Sequence, residues 1–242
     1  MNPPGFARST LAIFKKEMRV FFLSPAAYAF VAVALFLGGI FFYMGIALSG
    51  EASLRPMMSN LGVTLIFCLP LVTMRQLAEE TRAGTLELLL TSPIPIGALI
   101  FGKWLAAMAL CAVLLVSTAP YPAILYVLGD PDLGVLFTSY LGLFACCAAF
   151  TAAGLFASSL TRDQMVAGVG GVLLVLPFWL VSAIRDVLPE GAQLAADRLS
   201  FLAHLRSFAG GVIDTGDIAW FAGFTFVFLF LTWRSLESRR WR

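Results

Sequence analysis

Six stretches of this chain, residues 26–48, 57–74, 105–128, 136–160, 165–184 and 218–233, contain no Asp, Glu, Lys, Arg or His. A bilayer-crossing helix needs about 18–20 predominantly apolar residues, and five of the runs are that long. The sixth is shorter, but Trp220 and Trp233 near its ends read as interface anchors. The 242 residues are 60% hydrophobic and only 12% charged, against about 25% charged in soluble domains. A soluble α/β domain is thereby excluded. The expected fold is an all-α polytopic membrane protein of six transmembrane helices. The run at 26–48 is too long for a secretory h-region of about 7–15 residues and reads as a retained span.

What precedes the first span is amphipathic. Over 8–24, Leu11, Phe14, Met18, Phe21 and Phe22 recur at helical spacing, and Arg8, Lys15, Lys16 and Arg19 gather on a neighbouring face. Such a helix suits the headgroup layer. Two regions follow: an interfacial elbow helix over 1–24 and a transmembrane domain over 25–242. Pro70, Pro120, Pro122 and Pro177 fall inside spans and should bend them. Small residues (Gly142, Cys146, Ala149 and Ala153 in the fourth span, Gly168 and Gly171 in the fifth) mark close helix contacts.

Charge placement gives the orientation. With the N-terminus inside, Arg8, Lys15, Lys16, Arg19, Arg75, Arg82, Lys103, Arg162, Arg234, Arg239, Arg240 and Arg242 are internal. Only Arg55, Arg185, Arg198 and Arg206 are external. This asymmetry predicts cytoplasmic termini and a cytoplasmic 75–95 hairpin. Lys103, just inside the third helix, is close enough to snorkel to the headgroups. The outer loops 49–55 and 129–134 are short, Asp130 and Asp132 flanking Pro131 as a turn. The outer segment 185–217 is long, and its middle, 199–213, is apolar enough to lie on or re-enter the membrane.

The chemistry that is absent narrows the function. His204 is the sole histidine and has no evident partner, so neither a triad nor a multi-histidine metal site is available. Cys68, Cys111, Cys146 and Cys147 lie inside spans and read as packing residues. The net charge of +2 does not suggest nucleic acid. Uncharged spans disfavour an ion-coupled carrier, and no phosphate-binding loop of the Walker type is present. A subunit that moves something would then draw energy from another polypeptide.

One polar stretch stands out against this background: residues 75–95, RQLAEETRAGTLELLLTSPIP. Arg75 and Glu79 are spaced for an i,i+4 pair on an extension of the second span. Gly84 breaks that helix, Thr85 is a candidate N-cap for a short helix through Thr91, and Ser92-Pro93 stops it. The pattern Glu80, Gly84, Thr85, Glu87, Leu89, Pro93, then Gly102-Lys103, resembles the signature of ABC-2-type exporter permeases. The C-terminal stretches HLRSFAGGVIDTGDIAWF and LTWRSLESRRW are similar to the gliding-motility (GldF-like) branch.

The resemblance implies a non-catalytic permease subunit in the bacterial inner membrane. Two permease copies, as a homodimer or heterodimer, would pair over two cytoplasmic ATPase subunits, which bind the ATP and Mg²⁺; this chain binds no cofactor. A coupling helix would be formed by Glu79, Glu80, Arg82, Gly84, Thr85, Glu87, Leu88 and Leu89, with Glu80 and Glu87 the expected contacts to the motor. Pro70 and Pro177 would kink spans beside the path. Phe201, His204, Phe208 and Gly210 would belong to a re-entrant segment, and an auxiliary membrane protein with an extracytoplasmic domain is a possible partner. The rival expectation is a membrane scaffold that recruits a cytoplasmic machine without transport, and a secondary carrier is third.

Overall fold

The computed structural model describes residues 5–49, 54–129, 132–185 and 189–240. Its elements are α1 (Phe6–Leu23), α2 (Pro25–Ser49), α3 (Arg55–Arg82), α4 (Thr85–Thr91), α5 (Ile96–Ser117), α6 (Pro120–Leu128), α7 (Leu133–Leu160), α8 (Gln164–Ile184), α9 (Glu190–Leu199), α10 (Phe201–Ala209) and α11 (Thr215–Arg240). Among the described residues no strand occurs, and six stretches are long and apolar enough to cross a membrane. The protein is an all-α polytopic membrane protein.

Local chemistry sets the boundaries. Pro25 opens α2 directly after Ser24, whose extended backbone ends α1. Asp132 caps α7 by accepting from the Gly134 amide, and Asp163 caps α8 by accepting from Met165 and Val166. The third run does not merely bend. It breaks at Thr118–Ala119 into α5 and α6, because Pro120 and Pro122 cannot supply the amides a continuous helix would use. Pro70 and Pro177 lie inside unbroken helices. The outer loop at 50–53 and the Asp130–Pro131 half of the next turn fall outside the described residues.

α7 is the central helix, packing on α3, α5, α8, α10 and α11. Membrane helices gain little from excluding lipid, so close packing must hold them. The small-residue stripes supply that contact within the subunit. A Cβ on Gly154 would collide with the Thr73 hydroxyl, and one on Gly142 would come within 2.7 Å of Phe208. One on Gly171 would lie 2.8 Å from Pro70. Cys111, Cys146 and Cys147 are buried in the same core.

Two ends of the bundle differ. At the end carrying α4, α1 lies along α5 and α3 runs on past the apolar core. α3 is about 42 Å long at 1.5 Å per residue, more than the roughly 30 Å of a bilayer core. At the far end α9 and α10 form a short helical pair, and α10 is seated among α3, α7 and α8.

Candidate functional site

α4 is seven residues long and is held by one face only. Leu86 and Leu90 are buried in a cluster with Leu77 of α3, Leu99 and Ile100 of α5, Leu155 of α7 and Leu236 of α11. The opposite face is open: Glu87 is exposed, and Leu88 is 71% exposed. Leu89 is half-buried, and Arg82, Gly84 and Thr85 are exposed. Gly84 makes the turn from α3 at φ 72°, a left-handed conformation that side-chain-bearing residues adopt only at a cost. Gly84 is also the N-cap residue, and the Thr85 hydroxyl donates to the Glu80 carbonyl at 3.3 Å. Thr85 therefore closes the end of α3 instead of capping α4, because the glycine has already turned the chain.

The hairpin is anchored by a buried ion cluster. Lys103, 1% exposed, places Nζ 2.8 Å from Glu17 Oε1, 3.0 Å from Glu80 Oε1 and 2.7 Å from the Gln76 carbonyl. Lys16 Nζ closes the group at 2.6 Å from the same Glu80 oxygen and 3.6 Å from Glu17. Two cations thus face two carboxylates, joining α1, α3 and α5. Lys103 does not snorkel to the surface, since two carboxylates and a carbonyl inside the protein satisfy its ammonium. Burial opposes the charge on Lys16, but the hydrogen bond and charge of Glu80, with the charge of Glu17, offset it and raise its pKa above the usual 10.5. A raised lysine pKa contributes stability that is full below the unfolded value and is lost as pH rises through the folded one, so the contribution of Lys16 is intact throughout the neutral range.

Further bonds tie the same region to α7. The Ser158 hydroxyl accepts from the Leu77 and Ala78 amides and donates to the Met74 carbonyl. Gln76 Nε2 donates to the Lys103 carbonyl at 2.8 Å, which fixes its amide orientation. Arg75 and Glu79, one turn apart, form no ion pair.

The structure therefore divides the coupling residues expected from sequence. Glu79 and Glu80 face a cavity of about 740 Å³ between α1, α2 and α3. Gly84 and Glu87 border a second cavity of about 410 Å³, closed by Thr81, Arg162 and Arg239. Glu80 is turned into the ion cluster, whereas Glu87 is free on the surface. The packed face of α1 overlaps the expected stripe only in part, at Phe14, Met18 and Phe21. Ile13, Glu17 and Phe21 point inward with Ser9 and Thr10, while Leu11 and Phe22 are exposed. α5 accepts this face because Gly102 leaves no side chain in the way: a Cβ there would lie 2.9 Å from Ile13.

Of the remaining expected positions, Pro70 is buried beside Gly171, and Pro177 is exposed. The two prolines are not brought together. At the far end Phe201 and Phe208 are fully buried, and Gly210 is an exposed C-cap. Phe201 packs against Phe150, past the midpoint of α7, at a ring distance of 4.9 Å, and against Trp220 at 4.7 Å. His204 does have partners. Its Nδ1 is 2.6 Å from Asp217 Oδ1, its Nε2 is 3.1 Å from the Arg198 carbonyl, and its ring stacks on Trp220.

Sequence reasoning missed Glu17, Gln76 and Ser158, and placed Lys16 on a headgroup-facing side of α1 where the structure pairs it with Glu80. A signal existed for the first: Glu17 is the sole acid in a basic helix, one turn from both Ile13 and Phe21. Lys103 is likewise the single charge between 96 and 129. Two isolated opposite charges on apolar faces satisfy each other. Among the described residues no group of three or more His, Cys, Asp or Glu could hold a metal ion. Over residues 11–212 the chain matches the family described as ABC-2 family transporter protein. No curated protein matches it.

Proposed function

We propose, from the premise that this chain belongs to the ABC-2 family of transporter proteins, that α4 is where a separate ATPase pushes on it to drive export. The supporting observation is the two-sidedness of α4. Its outer face, Glu87 and Leu88, is free for a partner, while Leu86 and Leu90 are packed on residues of α3, α5, α7 and α11. A displacement of so short a rod reaches four helices at once. A plain surface turn would need no such seat.

The charge asymmetry supports an inner-membrane orientation with α4 and both termini in the cytoplasm. Two permease copies over two ATPases follow from the family resemblance, as does the binding of ATP and Mg²⁺ by the partner alone. The similarity at 204–221 and 231–241 favours the gliding-motility branch. Within this reading Glu87 is a direct contact to the motor. Glu80 acts behind it, holding the extended end of α3 to α1 and α5. ATP-driven closure of the partner would shift the balance between two packings of the spans.

Reconstitution with the partner ATPase tests this. Leu88→Asp and Glu87→Lys are expected to abolish permease-dependent ATP hydrolysis while leaving membrane insertion and thermal stability unchanged. Full permease-dependent hydrolysis in both variants would rule out α4 as the input.

A further inference from the structure

The larger cavity carries an inference that is independent of ATPase coupling. Its walls are apolar along Val20, Phe21, Phe30, Val33, Leu71 and Val72. Val33 and Leu71 are about half exposed, so the groove opens sideways to where lipid would lie. Its volume of about 740 Å³ falls in the range of small-molecule sites, about 300–1,000 Å³. One end is polar, formed by Lys16, Arg75, Gln76, Glu79 and Glu80.

That polar end is unbalanced in a specific way. Gln76 Oε1 and Glu80 Oε2 are buried acceptors with no hydrogen-bond partner. Gln76 is 4% exposed, and the bond from its Nε2 to the Lys103 carbonyl excludes the flipped amide that would hide the orphan. An unsatisfied buried acceptor costs about 1–3 kcal/mol, so the wall is built for a donor. Glu17 and Glu80 are neutralised by Lys16 and Lys103. Arg75 and Glu79 remain, one cation and one carboxylate in the same wall without an ion pair between them.

We infer that this groove binds an aminophospholipid from the adjacent leaflet, its ammonium on Gln76 and Glu80 and its phosphate on Arg75. The acyl chain then lies along Val33 and Leu71. A primary ammonium supplies the N–H donors that both orphans lack, and Glu79, the carboxylate outside the ion cluster, adds negative charge in the same wall. A trimethylated headgroup has no N–H to give, and a glycerol headgroup brings no positive charge.

The test uses the full chain, delipidated and then offered vesicles of phosphatidylethanolamine, phosphatidylcholine or phosphatidylglycerol, each at equal mole fraction. Retained lipid is counted by native mass spectrometry. Phosphatidylethanolamine is expected to outcompete both others by about tenfold, the worth of one charge-assisted hydrogen bond. Gln76→Leu should remove that preference, whereas Arg75→Ala, which loses only the phosphate contact common to all three lipids, should lower retention of each alike. Val33→Trp, on the exposed wall, fills the groove without touching the ion cluster and should abolish retention even if Gln76→Leu fails to fold. Equal retention of the three lipids, or unchanged retention in Val33→Trp, would overturn the inference and leave only nonspecific annular lipid.

Discussion

Two non-spanning helices are fastened to the bundle at opposite ends, and by opposite chemistry. α1 is held by charge, through Glu17, Lys103, Glu80 and Lys16. α10 is held mainly by shape, with Phe201 in a nest of Phe150, Phe178, Trp220, Phe221 and Phe224, a charged clasp from His204 to Asp217 and a bond from the Thr138 hydroxyl to the Phe208 carbonyl. A packed aromatic joint tolerates small losses in proportion to the contact removed. A buried ion joint does not, because Lys103, Glu17 and Glu80 depend on one another for their solvation, with only Lys16 reaching water. The charged joint sits beside α4, where a force would arrive, and fixes α1, α3 and α5 to move together.

The contrast can be broken from either side. The largest effect is expected from Lys103→Met, which leaves two carboxylates facing a single lysine. It should cost about 3–5 kcal/mol, read as a drop in thermal unfolding temperature in detergent. Adding Glu17→Leu restores a balanced Lys16–Glu80 pair and should recover most of the loss. If the double variant is as unstable as the single, the joint is not electrostatic.

Phe201→Ala should cost about 3 kcal/mol, at the low end because lipid removes much of the transfer term and packing alone acts. No second substitution in the nest is expected to rescue it. Asp217→Asn keeps the shape and weakens one charge-assisted bond. A loss of about 1–2 kcal/mol, with faster hydrogen exchange confined to α9 and α10, would locate the clasp. The smallest stability change belongs to Leu88→Asp, within about 0.5 kcal/mol. A larger one would mean that the outer face of α4 already packs on something within this chain.

The hairpin's outline was legible because it depends on local chemistry. Gly84 must turn the chain and Ser92-Pro93 must stop α4, whereas the break at Pro120 and Pro122 in the third run went beyond the expected bend. Its internal wiring was not. Glu80 carries the same motif position as a residue expected at the motor, yet its carboxylate points to Lys16 and Lys103. Nothing within 75–95 encodes this, because both partners come from other parts of the chain. His204 failed for the same reason: Asp217 lies thirteen residues away across the turn between α10 and α11. The stripe expected on α1 was legible in part: Phe14, Met18 and Phe21 pack on the core and Leu11 and Phe22 stay exposed, while Gly102 lets Ile13 and Glu17 approach α5.

The sequence by itself determined six membrane-length helices, an amphipathic lead-in and a two-part polar hairpin. Each follows from the length of an uncharged run or from a Gly, Pro or capping residue acting on its neighbours. Only the tertiary structure decided which polar groups meet. Lys103 became a buried counterion instead of a surface anchor, and the acids at 79–80 were separated from Glu87. Helix formation is settled by nearby residues, but a charge in an apolar protein is settled by whichever partner the packing brings within about 3 Å.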